Sequence, residues 1–295
     1  MSTGGHRRVF VQVPAYRDRE LAPTLRSLGE NARHPERLRV VVLWQRGEDD
    51  PDLGDVGALP DLTVETTPAA TSRGPNWARS LLQQRARADD DVTLVIDSHL
   101  RFVPGWDELA LGMLDDLGRT VAKPVLTAYL PAYLPGSPPP AGARPFKIYP
   151  LERQDGVLTR LTSHALAHPA QLAGPVRAEY LSLHFLLAPA AFGREVPHDP
   201  HVYFFGDEVA LGARAFTAGW DLFHPHRVLG WHAYDRADRV PHWDEHPGWG
   251  ADHARTLERL RRLFDDGDDG LAAWRGTARS VREYEERIMT RLVLR

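Results

Sequence analysis

The triplet Asp97-Ser98-His99 places a carboxylate and an imidazole one residue apart, directly after the apolar run Val92–Ile96. A strand-end acid flanked by a second ligand can hold a divalent cation, which screens the charge of a phosphate or diphosphate. One carboxylate with one imidazole suits manganese better than calcium, which prefers all-oxygen shells. The same residues also read as a plain polar turn, because Asp and Ser bond nearby backbone groups. Asp207 and Glu208 form a second constellation, two adjacent carboxylates behind Phe204-Phe205-Gly206 at the start of a helical pattern. They can accept hydrogen bonds from a polar substrate, or simply satisfy the positive end of a helix. A third is Trp231-His232 at the end of a short strand, followed by Tyr234 and Arg236. His232 can complete a metal site, contact phosphate or be structural. His242 and His246 stand four apart, but Pro241 and Pro247 flank them, so a helical zinc pair is not expected.

These residues need elements to position them, and the first third of the chain alternates strand and helix signals. Arg8–Val13 and Leu38–Gln45 read as buried strands, Leu62–Thr66 as a weaker one, and Val92–Ile96 as a strand covered on both faces. Between them Leu21–Ala32 and Asn76–Ala88 have helical spacing, the second opened by Pro75. Trp106–Leu117 is a further helix. Strands alternating with helices of about a dozen residues imply βαβ units and a mainly parallel sheet, an α/β fold. Ligands of such sheets gather at the carboxyl ends of the strands. Asp97, the stretch Pro14–Asp18 and Gln45-Arg46 all fall at such ends and are expected to share one rim. Pro131–Pro145 reads as a loop rather than a domain boundary, since strand signals resume at Phe146–Tyr149. Tyr180–Ala188, a helix over Glu208–Gly219 and a strand near Val228–Trp231 continue the alternation. Asp252–Phe264 and Arg279–Leu292 close the chain as helices, with Leu271, Trp274, Ile288 and Leu292 expected to pack on the core.

The 295 residues carry a net charge of -4, and no basic block interleaves with aromatics, which argues against nucleic acid as partner. Cysteine is absent, so disulfides, thiolate zinc sites and thiol nucleophiles are excluded. No apolar run approaches the roughly 18 residues of a membrane span, and MSTGGHRR reads as neither signal peptide nor anchor. A cytoplasmic protein without membrane attachment is expected. There is no GxxxxGK[ST] loop, no GxGxxG after the first strand and no GxSxG elbow. Ser72-Arg73-Gly74-Pro75 can set an Arg and backbone amides beside a phosphate at a helix start, or be a plain loop.

The segments VFVQVPAYRDRELAPTLRSL, RGPNWARSLLQ, VIDSHLRFVPGWDEL, KPVLTAYLPAYLP, REVPHDPHVYFFGDEVALGARAFTAGWDLFHPHRVLGWHAYDR and RVPHWDEH occur in that order over roughly residues 8 to 265. Together they resemble the GlcNAc-transferase family typified by the protein-hydroxyproline α-GlcNAc transferases. That resemblance implies one GT-A domain over residues 1–295, a Rossmann-like mainly parallel sheet with helices on both faces and an acceptor-side extension. Residues 8–130 would form the nucleotide-sugar half, 131–265 the acceptor half and 266–295 a helical tail. It implies a UDP-sugar donor, UDP-GlcNAc above others, and Mn2+ or Mg2+ as cofactor. By position, Asp97, His99 and His232 would hold the metal, with Asp97-Ser98-His99 standing where the family has its DxD equivalent. Pro14, Tyr16, Arg17 and Asp18 would grip the uridine, Arg73, Trp77 and Ser98 would border the donor, and Asp207 and Glu208 would flank the transferred sugar. Retention of anomeric configuration is implied, with a peptide, protein or natural-product hydroxyl as acceptor. Asn76 departs from the small residue or cysteine common in the family at that place. A non-catalytic nucleotide-sugar-binding scaffold would lack part of this set, and a metal-dependent hydrolase would need ligands clustered apart from Asp97.

Overall fold

Two strands, β1 (Val9–Tyr16) and β2 (Leu38–Arg46), are buried over almost their whole length, as expected of parallel strands covered on both faces. In this computed structural model residues 7–235, 240–265 and 267–294 are described. Helix α1 (Leu21–Glu30) joins β1 to β2, β3 (Asp61–Pro68) follows, and α2 (Pro75–Gln83) leads to β4 (Val92–Ile96). β5 (Leu100–Phe102), α3 (Trp106–Gly118) and β6 (Pro124–Thr127) come next. The second half comprises β7 (Phe146–Gln154), β8 (Leu158–Ala165), β9 (Val176–Arg177), β10 (Phe185–Pro189) and α4 (Ala191–Glu195). It continues through α5 (Asp207–Thr217), β11 (Asp221–His224), β12 (Gly230–His232), α6 (His242–Glu245), α7 (Trp249–Leu263) and α8 (Val281–Ile288).

The main sheet has eight strands in the order β3-β2-β1-β4-β10-β6-β11-β9. β3, β2, β1 and β4 run parallel, whereas β10 is antiparallel to both β4 and β6. Side chains alternate across a strand, and the two faces of β1 receive different helices. Val9, Val11 and Val13 join Leu21, Leu25 and Leu28 of α1 and Trp106 and Ala110 of α3 in the largest core. Phe10 meets Ala78 and Leu82 of α2 on the other face, together with Val41 and Leu43 of β2. A second core gathers α5, α7 and α8 with the β7–β8 hairpin. Leu271, Ile288 and Leu292 are buried there and Trp274 packs against it, so the tail covers its own chain.

Two expectations change. The run Tyr180–Ala188 is a strand only from Phe185, and its direction opposes its neighbours. The strand expected over Phe146–Tyr149 extends to Gln154 and turns back as β8. Asp155 and Gly156 both have positive φ (51° and 71°), and Val157 N–H donates to the Gln154 carbonyl. An Asp-Gly pair suits this tight hairpin turn. No helix among the described residues is long and apolar enough to cross a membrane.

Candidate active site

The strand order reverses between β1 and β4, since the chain steps outward to β2 and β3 and then returns to β4 on the far side of β1. Open α/β sheets bind ligands in the crevice beyond the carboxyl ends of strands at such a switch point. Tyr16 ends β1 with Arg17 and Asp18 just beyond it, and Asp97 follows β4. Tyr16, Asp18 and Asp97 open onto a cleft of about 450 Å³ also lined by Pro14, Ser98, His99, Asp207, Glu208 and His232, whereas Arg17 lies outside its lining.

His232 arrives from 135 positions away through β12, whose His232 pairs with Leu100 of β5 in a two-stranded antiparallel ladder. Gly230 permits this approach: a Cβ there would lie 2.3 Å from the Arg101 carbonyl oxygen. His232 Nε2 stands 3.2 Å from Asp97 Oδ2, and His99 Nε2 stands 3.8 Å from the same oxygen. Ligand atoms of Asp97, His99 and His232 all lie within 4.8 Å of one another, the one such group of three or more found among the described residues. One carboxylate and two imidazoles fit a divalent transition ion such as Mn2+. Asp18 orients the set, accepting from Ser98 Oγ and His99 Nδ1, each at 2.7 Å. An ionised carboxylate only accepts, so the His99 proton sits on Nδ1 and Nε2 keeps its lone pair for a metal. Burial alone would raise Asp97, but the hydrogen bond with His232 and the charges around it hold its carboxyl well below the usual range.

Arg79 and His184 were not singled out from the sequence. Arg79, buried on α2, is 3.2 Å from Asp97 Oδ1 and 2.9 Å from Asp207 Oδ2, so one guanidinium bridges Asp97 and the acidic pair. His184 stacks on His232, centroids 3.9 Å apart and planes 20° from parallel. Burial and the neighbouring His232 hold the His184 imidazole well below its usual value, and it is neutral. A charged residue inside an amphipathic helix and a histidine inside an apolar run carry no local signal of a cleft. Asn76 is buried and donates to the Val202 carbonyl, tying α2 to the segment before the acidic pair.

Gly206 caps α5 at φ 90°, and a Cβ there would lie 2.6 Å from Leu260 and 2.8 Å from Leu158. The helix start therefore seats against α7 and the hairpin and sets Asp207 and Glu208 at the cleft. Glu208 Oε1 accepts from the Leu183 N–H at 2.8 Å. Burial, then the adjacent Asp207, pushes the Glu208 carboxyl up to about 8. Burial also raises Asp207, against the opposing charge of Arg79.

At the β1 end, Tyr16 Oη donates to Glu245 at 2.6 Å, and Arg17 pairs with Glu245, Asp49 and Asp50. His242 lies 4.8 Å from the Tyr16 ring and shares a 2.6 Å hydrogen bond with Tyr203 Oη. The histidine-rich segment thus straps the end of β1 instead of forming a separate metal centre. Arg73 is exposed outside the cleft lining, and Trp77 packs beside the small core under α2. Arg236 lies outside the described residues.

The sequence profile described as "Glycosyltransferase (GlcNAc)" matches residues 8–59 and 56–292. The chain belongs to this GlcNAc glycosyltransferase family. Among solved structures, GalNAc-T7 with UDP, GalNAc and Mn2+ superposes with a TM-score of 0.67 at 12% identity. That match covers 97% of this chain but only 57% of GalNAc-T7, so the family member spans a little over half the length of that neighbour. The mannosyltransferase PcManGT from Pyrobaculum calidifontis, in complex with GDP-Man and Mn2+, gives a TM-score of 0.50 at 12% identity, covering 96% of this chain and 75% of that one. Both are glycosyltransferases of the GT-A fold, and this family member shares that fold. No curated protein matches the sequence significantly.

Proposed function

We propose that the chain is a metal-dependent glycosyltransferase that moves a sugar, GlcNAc first among candidates, from a UDP-sugar to an acceptor hydroxyl with retention. The observation that carries this reading is the gathering of Asp97, His99 and His232 with Asp207 and Glu208 around one cleft, with Arg79 between the two sets. A non-catalytic scaffold would not need the whole set, and a hydrolase built on the histidine-rich segment would need a second ligand cluster. The two neighbours described above carry nucleotides and Mn2+ in their own structures.

Asp97, His99 and His232 would hold a divalent cation, which supplies positive charge against the leaving diphosphate. Asp18 keeps His99 in its ligating tautomer. Tyr16 and Arg17, strapped by Glu245, border the nucleotide. Glu208, protonated at neutral pH, donates a hydrogen bond to a sugar hydroxyl and is a poor base, which agrees with retention. Asp207, paired with Arg79, sets negative charge beside the anomeric carbon as positive character develops there. The acceptor enters over the β7–β8 side, where Leu158, Thr159, Arg160 and Leu161 line the cleft with Phe204 and Phe205. Hydroxyls of peptides, modified peptides and small natural products are the acceptors to test.

Thermal shift with UDP, with MnCl2 and with both together tests the reading. The pair is expected to stabilise the protein more than either alone, and a screen of UDP-sugars for UDP release to show a Mn2+-dependent preference for UDP-GlcNAc. No stabilisation by any nucleoside diphosphate with metal would sink it.

A further inference from the structure

The imidazole of His232 is hemmed in by other rings. His99 meets it edge-on at 4.5 Å and 74°, Tyr234 tilts against it at 4.3 Å and 49°, and His184 lies almost flat on it at 3.9 Å and 20°. His184 belongs to the turn before β10 and reaches His232 from a different part of the chain. Its own ring is held in turn by Tyr129 at 4.5 Å and Tyr234 at 5.4 Å. The contact from His184 is a near-parallel stack, unlike those from His99 and Tyr234. His184 lines the cleft but is not part of the three-residue ligand cluster.

We infer that His184 is a positioning residue for metal binding, a flat ring that locks the His232 imidazole in its ligating orientation; this rests on the metal-dependent reading above. Two physical effects act together. A short β12 strand of three residues holds His232 by its backbone, but its ring torsions need side-chain contacts to fix them. A stacked neighbour removes that freedom before the metal arrives, so less ordering is needed on binding. A metal-bound imidazole is also electron-poor, and an aromatic face held against it is attracted by the same electrostatics that draws cations to rings. The stack therefore favours the loaded site over the empty one, as a partner of a ligand must if it is to raise affinity. His99 has its orienting partner in the Asp18 carboxylate, and His184 does the equivalent work for His232 by packing.

The test titrates MnCl2 into the full chain and follows free Mn2+ by its electron paramagnetic resonance signal, with no donor and no turnover required. His184→Ala is expected to weaken Mn2+ binding by about 10- to 100-fold, the usual effect of losing a group that orients a ligand. His184→Phe keeps the flat ring without its nitrogens and is expected to stay within about threefold of the parent protein. His184→Gln keeps bulk and polarity without a ring, opens no cavity, and is expected to behave as His184→Ala. Metal-free melting temperatures, compared across the set, separate loss of affinity from loss of fold. Parent-like affinity in both ring-less variants would overturn the inference while leaving the metal reading intact. Equal loss in His184→Phe and His184→Ala would overturn it too, by making a ring nitrogen rather than the stack the source of affinity. A parent protein that binds no Mn2+ removes the metal reading, and this inference with it.

Discussion

Asp97 and Glu208 line the same cleft, yet their surroundings drive them in opposite directions. Asp97, beside two imidazoles and the Arg79 guanidinium, is held ionised well below the usual carboxylate range. Glu208, buried at a helix start next to another acid and bonded to a backbone N–H, is pushed up to about 8. In the proposed reaction one carboxyl would bind a cation and the other would offer a proton to a hydroxyl, a division of labour set by neighbours rather than residue type. Arg79 stands between the two regions and pairs with Asp97 and Asp207, whereas Glu208 is governed first by burial and then by Asp207.

The largest effect tests the ionised side. Asp97→Ala is expected to cut Mn2+-dependent UDP release from UDP-GlcNAc by about 10³-fold, as for other groups that organise transition-state charge, with an unchanged circular dichroism spectrum. Turnover retained in that variant removes Asp97 from its role. Next comes the divider. Arg79→Met leaves two acids without their shared cation and is expected to lower stability by about 3 kcal/mol, measured by urea unfolding. Adding Asp207→Asn should return part of that loss; strict additivity of the two changes would show that Arg79 does not couple the regions.

A smaller effect tests the protonated side. The Glu208 carboxyl has an ordinary value of 4.5 when unfolded and about 8 when folded. Between those values the folded protein holds a proton that the unfolded chain has released, so this group's contribution to stability falls as pH rises through that window. Glu208→Gln removes the titration. The metal-free variant is expected to gain melting temperature relative to the parent at pH 8, with the gap closing toward pH 5. A gap independent of pH contradicts the raised value. The smallest effect is at the strap, where Tyr16→Phe deletes one hydrogen bond to Glu245 and should cost about 1 kcal/mol.

Much of the frame was legible in the sequence because it is local. Short, near-continuous apolar runs at Val9–Tyr16 and Leu38–Arg46, alternating with segments of periodicity near 3.6, specify parallel strands and their covering helices, and a polar residue just after a buried strand must sit on the ligand rim. That placed Asp97, with Asp18 beyond β1, at one crevice. The β7–β8 hairpin left a fainter trace. Ile148 is its one fully buried residue in β7, so the strand has little apolar alternation, although the Asp155-Gly156 turn signal was present. Three things were decided only by packing. His232 meets Asp97 through the register of β12 on β5, Arg79 reaches two acids because α2 packs on the face of β1 and β2, and His184 meets His232 because β10 runs against its neighbours. Each joins residues distant in the chain, and no pattern within a short window records a contact that exists only once separate elements share one core.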